Sequence, residues 1–264
     1  MSATTRVPTI ALTRPAPAPD RPALVLGPSL GTSATALWGL CMPGLLEAFD
    51  VLAWDLPGHG RSPAAAADFT ISDLADGVLD AVDAARGGGR NQEIHYAGDS
   101  IGGAVGLHLL LDHPGRVAAA SLICTGARIG EPRNWLDRAD LVERSGVDAV
   151  VDGSRQRWFG PGFGERHPDR ADALLDSLRA ADPVDYGRAC RALASYDVRD
   201  RLGKVTAPVL AVAGSHDQPT PVATLREIAD GVVHGRLEVL DGVAHVAPAE
   251  ASEEVTTLLR DHHS

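Results

Sequence analysis

Long apolar runs are missing from this chain, and no stretch approaches the roughly 18 residues that a membrane-crossing helix needs. Its opening stretch, MSATTRVPTIALTRPAPAPDRP, is broken by prolines and arginines and carries no export-type apolar core. A cytoplasmic protein is the expectation. Cysteine is scarce as well. Cys41, Cys124 and Cys190 are odd in number, far apart and without metal-ligand spacing, so they read as buried or idle thiols. Positive charge is in deficit, with 24 Lys and Arg against 35 Asp and Glu, a formal net charge of −11. That balance argues against nucleic acid and against anionic membrane surfaces as partners. An anionic ligand would then require a local cluster of cations. The 264 residues, 44% of them hydrophobic, suit one domain or a core with an inserted cap.

Short, nearly continuous apolar runs alternate with helical patterns along most of the chain. The runs are PALVLG (22–27), FDVLAWD (49–55), EIHYAG (93–98), AASLICTG (119–126), APVLAVAG (207–214) and RLEVLDG (236–242). Runs of this kind read as buried parallel strands. Helical patterns such as ISDLADGVLDAVDAAR (71–86) and PVATLREIADGV (221–232) lie between them. The alternation predicts an α/β fold, a mostly parallel central sheet with helices on both faces. From about Ala127 to Arg199 the strand signal disappears and charged helical stretches follow one another. The expected organisation is a first core part over 1–126, a helical cap over 127–199 and a second core part over 200–264. The proline-rich PAPAPDRP and the AAAAD tract at 64–68 read as loops.

The sharpest motif is YAGDSIGGAVGL, residues 96–107, in which Ser100 is flanked by Gly98 and Gly102 between an apolar strand and a helix. This is the sequence form of a nucleophile elbow, a turn too crowded for side chains at the two glycines. A serine hydroxyl is a weak nucleophile, so it requires an imidazole to take its proton and a carboxylate to orient that imidazole. In α/β-hydrolases these follow in the order serine, acid, histidine, each on a loop after a later strand. Asp217, after APVLAVAG, and His245, after RLEVLDG, fit both order and placement. His59 and His95 precede the serine, His108 and His113 belong to its helix, and His262 and His263 are expected in a frayed tail. Backbone N–H groups of Ile101, after the nucleophile, and of Leu30, in LGPSLGTS, are the expected oxyanion donors. Pro28 is excluded because proline has no N–H. The Asp99 carboxylate is expected to point into a hydrogen-bonded core position or to solvent, since facing the pocket it would repel an anion.

Taken together, the segments SLGTSATALW (29–38), WDLPGHGRS (54–62), AGDSIGGAVGLHLL (97–110), TGARIGEPRNWLDR (125–138), RQRWFGPGF (155–163), YDVRDRLGKVTAPVLAVAGSHDQPTP (196–221) and VLDGVAHVAPAE (239–250) resemble the 3-oxoadipate enol-lactonases of the α/β-hydrolase superfamily. PGHGRS and the triad are generic to the superfamily, whereas ARIG followed by W and R, and RWF, are more specific. Two positions depart from the pattern: Pro28 stands where the family often has a polar residue, and Asp99 where an apolar one is common. The resemblance implies the α/β-hydrolase fold with an inserted cap, a small anionic enol-lactone substrate and no metal or organic cofactor. It also implies a free-standing enzyme, some relatives being fused to a decarboxylase domain. The carboxylate arm of such a substrate asks for arginine. Arg128, Arg133 and Arg138, with Trp135 among them, are the candidates for substrate binding. The competing reading is a salt-bridged helix face, since Glu131, Asp137 and Asp140 are interspersed. Trp135 is expected to line the pocket in preference to Trp158. Other readings of the same parts are a carboxylesterase or lactonase for another small ester, and a catalytically silent ligand-binding α/β-hydrolase.

Ser100→Ala is expected to abolish ester and lactone turnover while the circular dichroism spectrum stays unchanged. Turnover at the wild-type rate would remove the nucleophile assignment.

Overall fold

The computed structural model describes residues 7–87 and 92–264, which leaves the first residues of the opening stretch outside it. Seven strands form one sheet in the order β1-β3-β2-β4-β5-β6-β7. They are β1 (Leu12–Thr13), β2 (Ala23–Gly27), β3 (Asp50–Trp54), β4 (Ile94–Asp99), β5 (Val117–Ile123), β6 (Val209–Gly214) and β7 (Gly235–Leu240). All neighbours are parallel except β1, which pairs antiparallel with β3. The apolar runs read from the sequence correspond to β2 through β7. The two-residue β1 left no readable period.

Helices α1 (Ala34–Trp38), α2 (Met42–Leu46), α3 (Ile71–Ala85) and α4 (Ile101–Asp112) belong to the first half of the core. Helices α10 (Val222–Gly231), α11 (Ala247–Glu250) and α12 (Ser252–His262) complete it. Every residue of β2, β3 and β6 is buried, so the sheet is covered on both faces. Alternation along β4 separates the layers: the Tyr96 hydroxyl donates to the Gly102 carbonyl of α4, whereas its neighbour His95 meets His263 beyond α12. A capping box opens α3, with the Asp73 N–H donating to Thr70 Oγ1 and the Thr70 N–H to the Asp73 carboxylate.

Between the end of β5 and the start of β6 the described chain has no strand. It forms α5 (Pro132–Ser145), a 3₁₀ turn (Val147–Val150), α6 (Val151–Trp158), α7 (Phe163–Arg166), α8 (Pro168–Arg179), α9 (Pro183–Ala194) and a second 3₁₀ turn (Arg199–Lys204). Buried Leu174, Leu175, Leu178 and Tyr186 join these helices to the main core. No described helix is long and apolar enough to cross a membrane.

The tail differs from expectation. Instead of fraying, α12 runs to His262, and His263 is buried with Nε2 3.0 Å from Ser121 Oγ and Nδ1 3.1 Å from His95 Nδ1. Burial, with His262 and His95 as neighbours, pushes the His263 imidazole down to about 2. It is therefore a neutral core residue, and packing against β4 and β5 overrides the usual mobility of a chain end.

At the carboxyl edge of the central strands the backbone is crowded. A β-carbon at Gly98 would stand 2.3 Å from the Gly102 oxygen, and one at Gly102 would stand 2.7 Å from both the Gly27 carbonyl carbon and the Pro28 oxygen. Neither neighbour is a side chain that can swing away. Gly102→Ala is expected to cost about 2 kcal/mol and to lower Tm by about 6 °C, measured by scanning calorimetry. An unchanged Tm would contradict the close approach.

Candidate active site

Ser100 joins β4 to α4 with φ 53° and ψ −116°, a backbone region that disfavours any residue with a β-carbon. Surrounding hydrogen bonds hold it there. Its N–H donates to the Ile123 carbonyl (2.9 Å), Thr125 Oγ1 donates to its carbonyl (2.7 Å), and the Gly102 N–H donates to the Pro28 carbonyl (2.9 Å). The strain turns the side chain away from the strand line toward the loops that follow β6 and β7.

Those loops bring Asp217 and His245 to the serine. Ser100 Oγ donates to His245 Nε2 at 3.0 Å, and His245 Nδ1 donates to the Asp217 oxygens at 3.0 and 3.1 Å. All three residues are buried. Thr220 completes the carboxylate's surroundings, its N–H donating to Oδ1 (3.0 Å) and its hydroxyl to Oδ2 (2.6 Å). Burial alone would raise the Asp217 pKa; the charge and hydrogen bond of His245 and the two bonds from Thr220 outweigh it and hold the carboxyl below its usual value. Asp217 is thus an anion that fixes the imidazole with Nε2 free to accept a proton. Ile101 opens α4, so its N–H precedes the helical ladder. The Leu30 N–H makes no backbone hydrogen bond, and Leu30 lines the same cavity as Ser100.

Asp99 departs from the sequence reading in one respect. It is fully buried in the core, away from solvent and from the cavity lining, yet neither of its oxygens has a hydrogen-bond partner of ordinary geometry. Burial raises its pKa well above the carboxylate range, the charges of Asp217 and Glu250 push the same way, and the Ser29 side chain opposes them. Burial therefore favours the neutral acid over the carboxylate at this position.

A cavity of about 500 Å³ opens above Ser100 and His245. Trp135, Trp158, Arg138, Arg157 and Tyr186 line it, with Asn134 and Gln218 as further polar groups. The Trp135 indole is oriented by donation to the Ile129 carbonyl at 2.6 Å. Trp158 forms wall as well as cap core, so the expected choice between the two tryptophans does not arise. Arg138 donates to the Tyr186 hydroxyl (2.9 Å) and to Ser154 Oγ (3.0 Å), both neutral. Burial and the nearby charge of Arg138 lower the pKa of Arg157. Among the described residues neither arginine has a carboxylate at salt-bridge distance. Arg128 and Arg133 lie outside the cavity lining: Arg128 pairs with Glu131, and Arg133, largely exposed, pairs with Asp137 at 3.0 Å. Arg157 was not singled out in the sequence, although RQRWF was. Only folding α6 beside α5 brings it next to Arg138.

Comparison with known proteins agrees with this architecture. The alpha/beta hydrolase fold family matches the chain over residues 22–252. The 3-oxoadipate enol-lactonase 2 of Acinetobacter baylyi is 32% identical over 231 residues, 88% of this chain and 84% of that protein. A Variovorax paradoxus protein, RutD, whose name proposes a carbamate hydrolase, is 33% identical over 86% of this chain and 85% of its own length. The crystal structure of the enol-lactonase from Burkholderia xenovorans superposes with a TM-score of 0.88 at 28% identity, covering 96% of this chain and 95% of that one.

The unpartnered Asp99 carries a prediction. A raised carboxyl pKa means that the folded protein keeps a proton the unfolded chain releases, so wild-type stability declines as pH rises above the unfolded value. Asp99→Asn removes that decline. The Tm of the variant relative to wild type should therefore grow as pH rises above about 4, as followed by thermal melts. A pH-independent difference would mean that Asp99 is ionised in the fold.

Proposed function

Starting from a chain that belongs to the α/β-hydrolase family, we propose a serine hydrolase that opens a small anionic lactone, 3-oxoadipate enol-lactone, to 3-oxoadipate. The observation that carries the substrate class is the arginine pair. Arg138 and Arg157 line the cavity beside Ser100 with no carboxylate at salt-bridge distance among the described residues; Glu131, the one acid in the lining, is paired with Arg128. In a protein of net charge −11 such a pair is a locally inverted field. Its guanidinium groups suit a substrate carboxylate, and the two tryptophan walls suit a flat five-membered ring. The enol-lactonase relatives support the same reading.

In this mechanism Ser100 Oγ attacks the lactone carbonyl carbon while His245 Nε2 takes the hydroxyl proton. Asp217 stabilises the resulting imidazolium. The Leu30 and Ile101 N–H groups receive the oxyanion of the tetrahedral intermediate. The ring C–O bond then breaks, the enol oxygen receives the proton from His245, and the tethered enol tautomerises to the ketone. Water attacks the acyl-enzyme and gives a proton to His245, and as the carbon–Ser100 bond breaks His245 returns that proton to Ser100 Oγ, releasing the dicarboxylate and restoring the free enzyme. No metal or organic cofactor enters these steps.

The RutD relative favours a second reading, hydrolysis of a small carbamate or ester at the same serine. Ultraviolet monitoring of enol-lactone loss, set against neutral γ-lactones and a small carbamate, separates the two. Faster turnover of the anionic lactone supports the first reading, and preference for the carbamate replaces it. For the arginines, Arg138→Ala and Arg157→Ala are each expected to raise KM for the anionic lactone at least about tenfold while changing that for a neutral ester little. Equal losses on both substrates would rule out the carboxylate anchor.

A further inference from the structure

A third carboxyl group stands beside the site and takes no part in the steps above. Glu250 closes α11, and its two oxygens are claimed by different parts of the chain. Oε2 accepts the Gly160 N–H at 2.6 Å, in the segment that leaves α6. Oε1 accepts the Ala244 N–H at 2.9 Å, immediately before His245. The same two segments are tied a second time, because the Trp158 carbonyl accepts the N–H groups of His245 (3.1 Å) and Val246 (3.3 Å). They also touch: a β-carbon on Gly160 would stand 2.1 Å from the Gly242 oxygen. The loop carrying the imidazole and the cap segment carrying the Trp158 wall are therefore one hydrogen-bonded unit, with a single side chain bridging both.

We propose that Glu250 is a positioning residue for His245, its carboxylate clamping Ala244 to Gly160 and so holding the imidazole over Ser100 and the Trp158 wall in one arrangement. This rests on the Ser100 acyl-transfer reading and adds a residue to it. Two N–H groups aimed at one carboxyl require acceptors on both oxygens; the ionised form supplies two strong ones, whereas in the protonated form the hydroxyl oxygen accepts only weakly. Burial raises the Glu250 pKa to about 7, against the N–H groups of Gly160 and Ala244 and the charge of His245, which lower it. The titratable groups facing it are His245 on its own loop and Asp99 at the end of β4. The cap side presents the Gly160 N–H; of the elements packed on α11, α1 carries no titratable side chain, α12 carries Glu253 and Glu254 in its first turn, both exposed, and Cys41, whose thiol burial pushes up to about 12, donates to the Pro248 carbonyl. A group with pKa raised to about 7 is ionised above that pH and protonated below it. The clamp therefore weakens as pH falls. Protonation of Glu250 then adds one proton to the acid limb of kcat.

Steady-state hydrolysis of p-nitrophenyl acetate across pH, with melts on each variant, tests this. Glu250→Gln presents one acceptor and one amide donor to the two N–H groups. It is expected to lower plateau kcat at least about tenfold, leave KM within about twofold and remove one proton from the acid limb. Glu250→Asp, shorter but ionisable, should keep the wild-type limb shape at reduced kcat. Glu250→Gln with wild-type kcat and limb overturns the proposal, as does a variant that melts earlier with kcat and limb unchanged, the signature of a purely structural role. Ser100→Ala is assayed alongside; turnover retained there defeats the nucleophile reading and with it the role given to Glu250.

Discussion

Backbone touching backbone at the carboxyl edge of the sheet is the constraint on which the site depends. Gly27 at the end of β2, Gly98 near the end of β4 and Gly102 in the first turn of α4 approach so closely that no β-carbon fits at the latter two. That contact lets α4 begin immediately after the strand, and Ser100, in the left-handed region between them, is the residue left to make the turn. The strain is sustained because Ile123, Thr125 and Pro28 each engage the turn by hydrogen bonds. A strained serine whose N-terminal helix neighbour offers a free N–H is the minimal frame for acyl transfer. Asp217 and His245 then need only to be delivered by the loops that follow β6 and β7.

The electrostatics of the site follow from unequal solvation of three carboxyl groups. Asp217 faces an imidazole, a hydroxyl and an N–H and is held ionised. Glu250 faces two N–H groups in a half-buried place, where burial raises its pKa to about 7. Asp99 lacks a well-formed hydrogen bond, and burial raises its pKa well above the carboxylate range. Of the three, the carboxylate that orients the imidazole is the one whose neighbours hold it ionised. The positive field comes from the cap, where Arg138 and Arg157 are partnered by neutral groups or by none. Core and cap thus contribute opposite signs to the two ends of one cavity.

What could be read from the sequence was what lies within a few residues of itself. The elbow is contiguous, so the glycine spacing around Ser100 and the flanking strand and helix are visible in one window. Strands β2 to β7 are buried on both faces and leave apolar runs, and Asp217 and His245 were found because each follows such a run. Features made by distant segments left little trace. Arg157 acquires its meaning from Arg138, on another helix. Glu250 looks like an ordinary surface acid until Gly160 is seen beside it. His263 has the composition of a loose tail, and only its contacts with His95 and Ser121 place it in the core. Arg128 and Arg133 are local neighbours of Trp135 in the chain, but Arg128, in the loop before α5, turns to Glu131, and Arg133, on α5, turns to Asp137 one helical turn on.

The junction of Trp158 with His245 also bears on how molecules come and go. Because the Trp158 carbonyl holds the backbone of the histidine loop, a cap that swung away as a rigid lid would drag the imidazole off the serine. Access to the serine and alignment of its base are thereby mechanically linked through the end of α6.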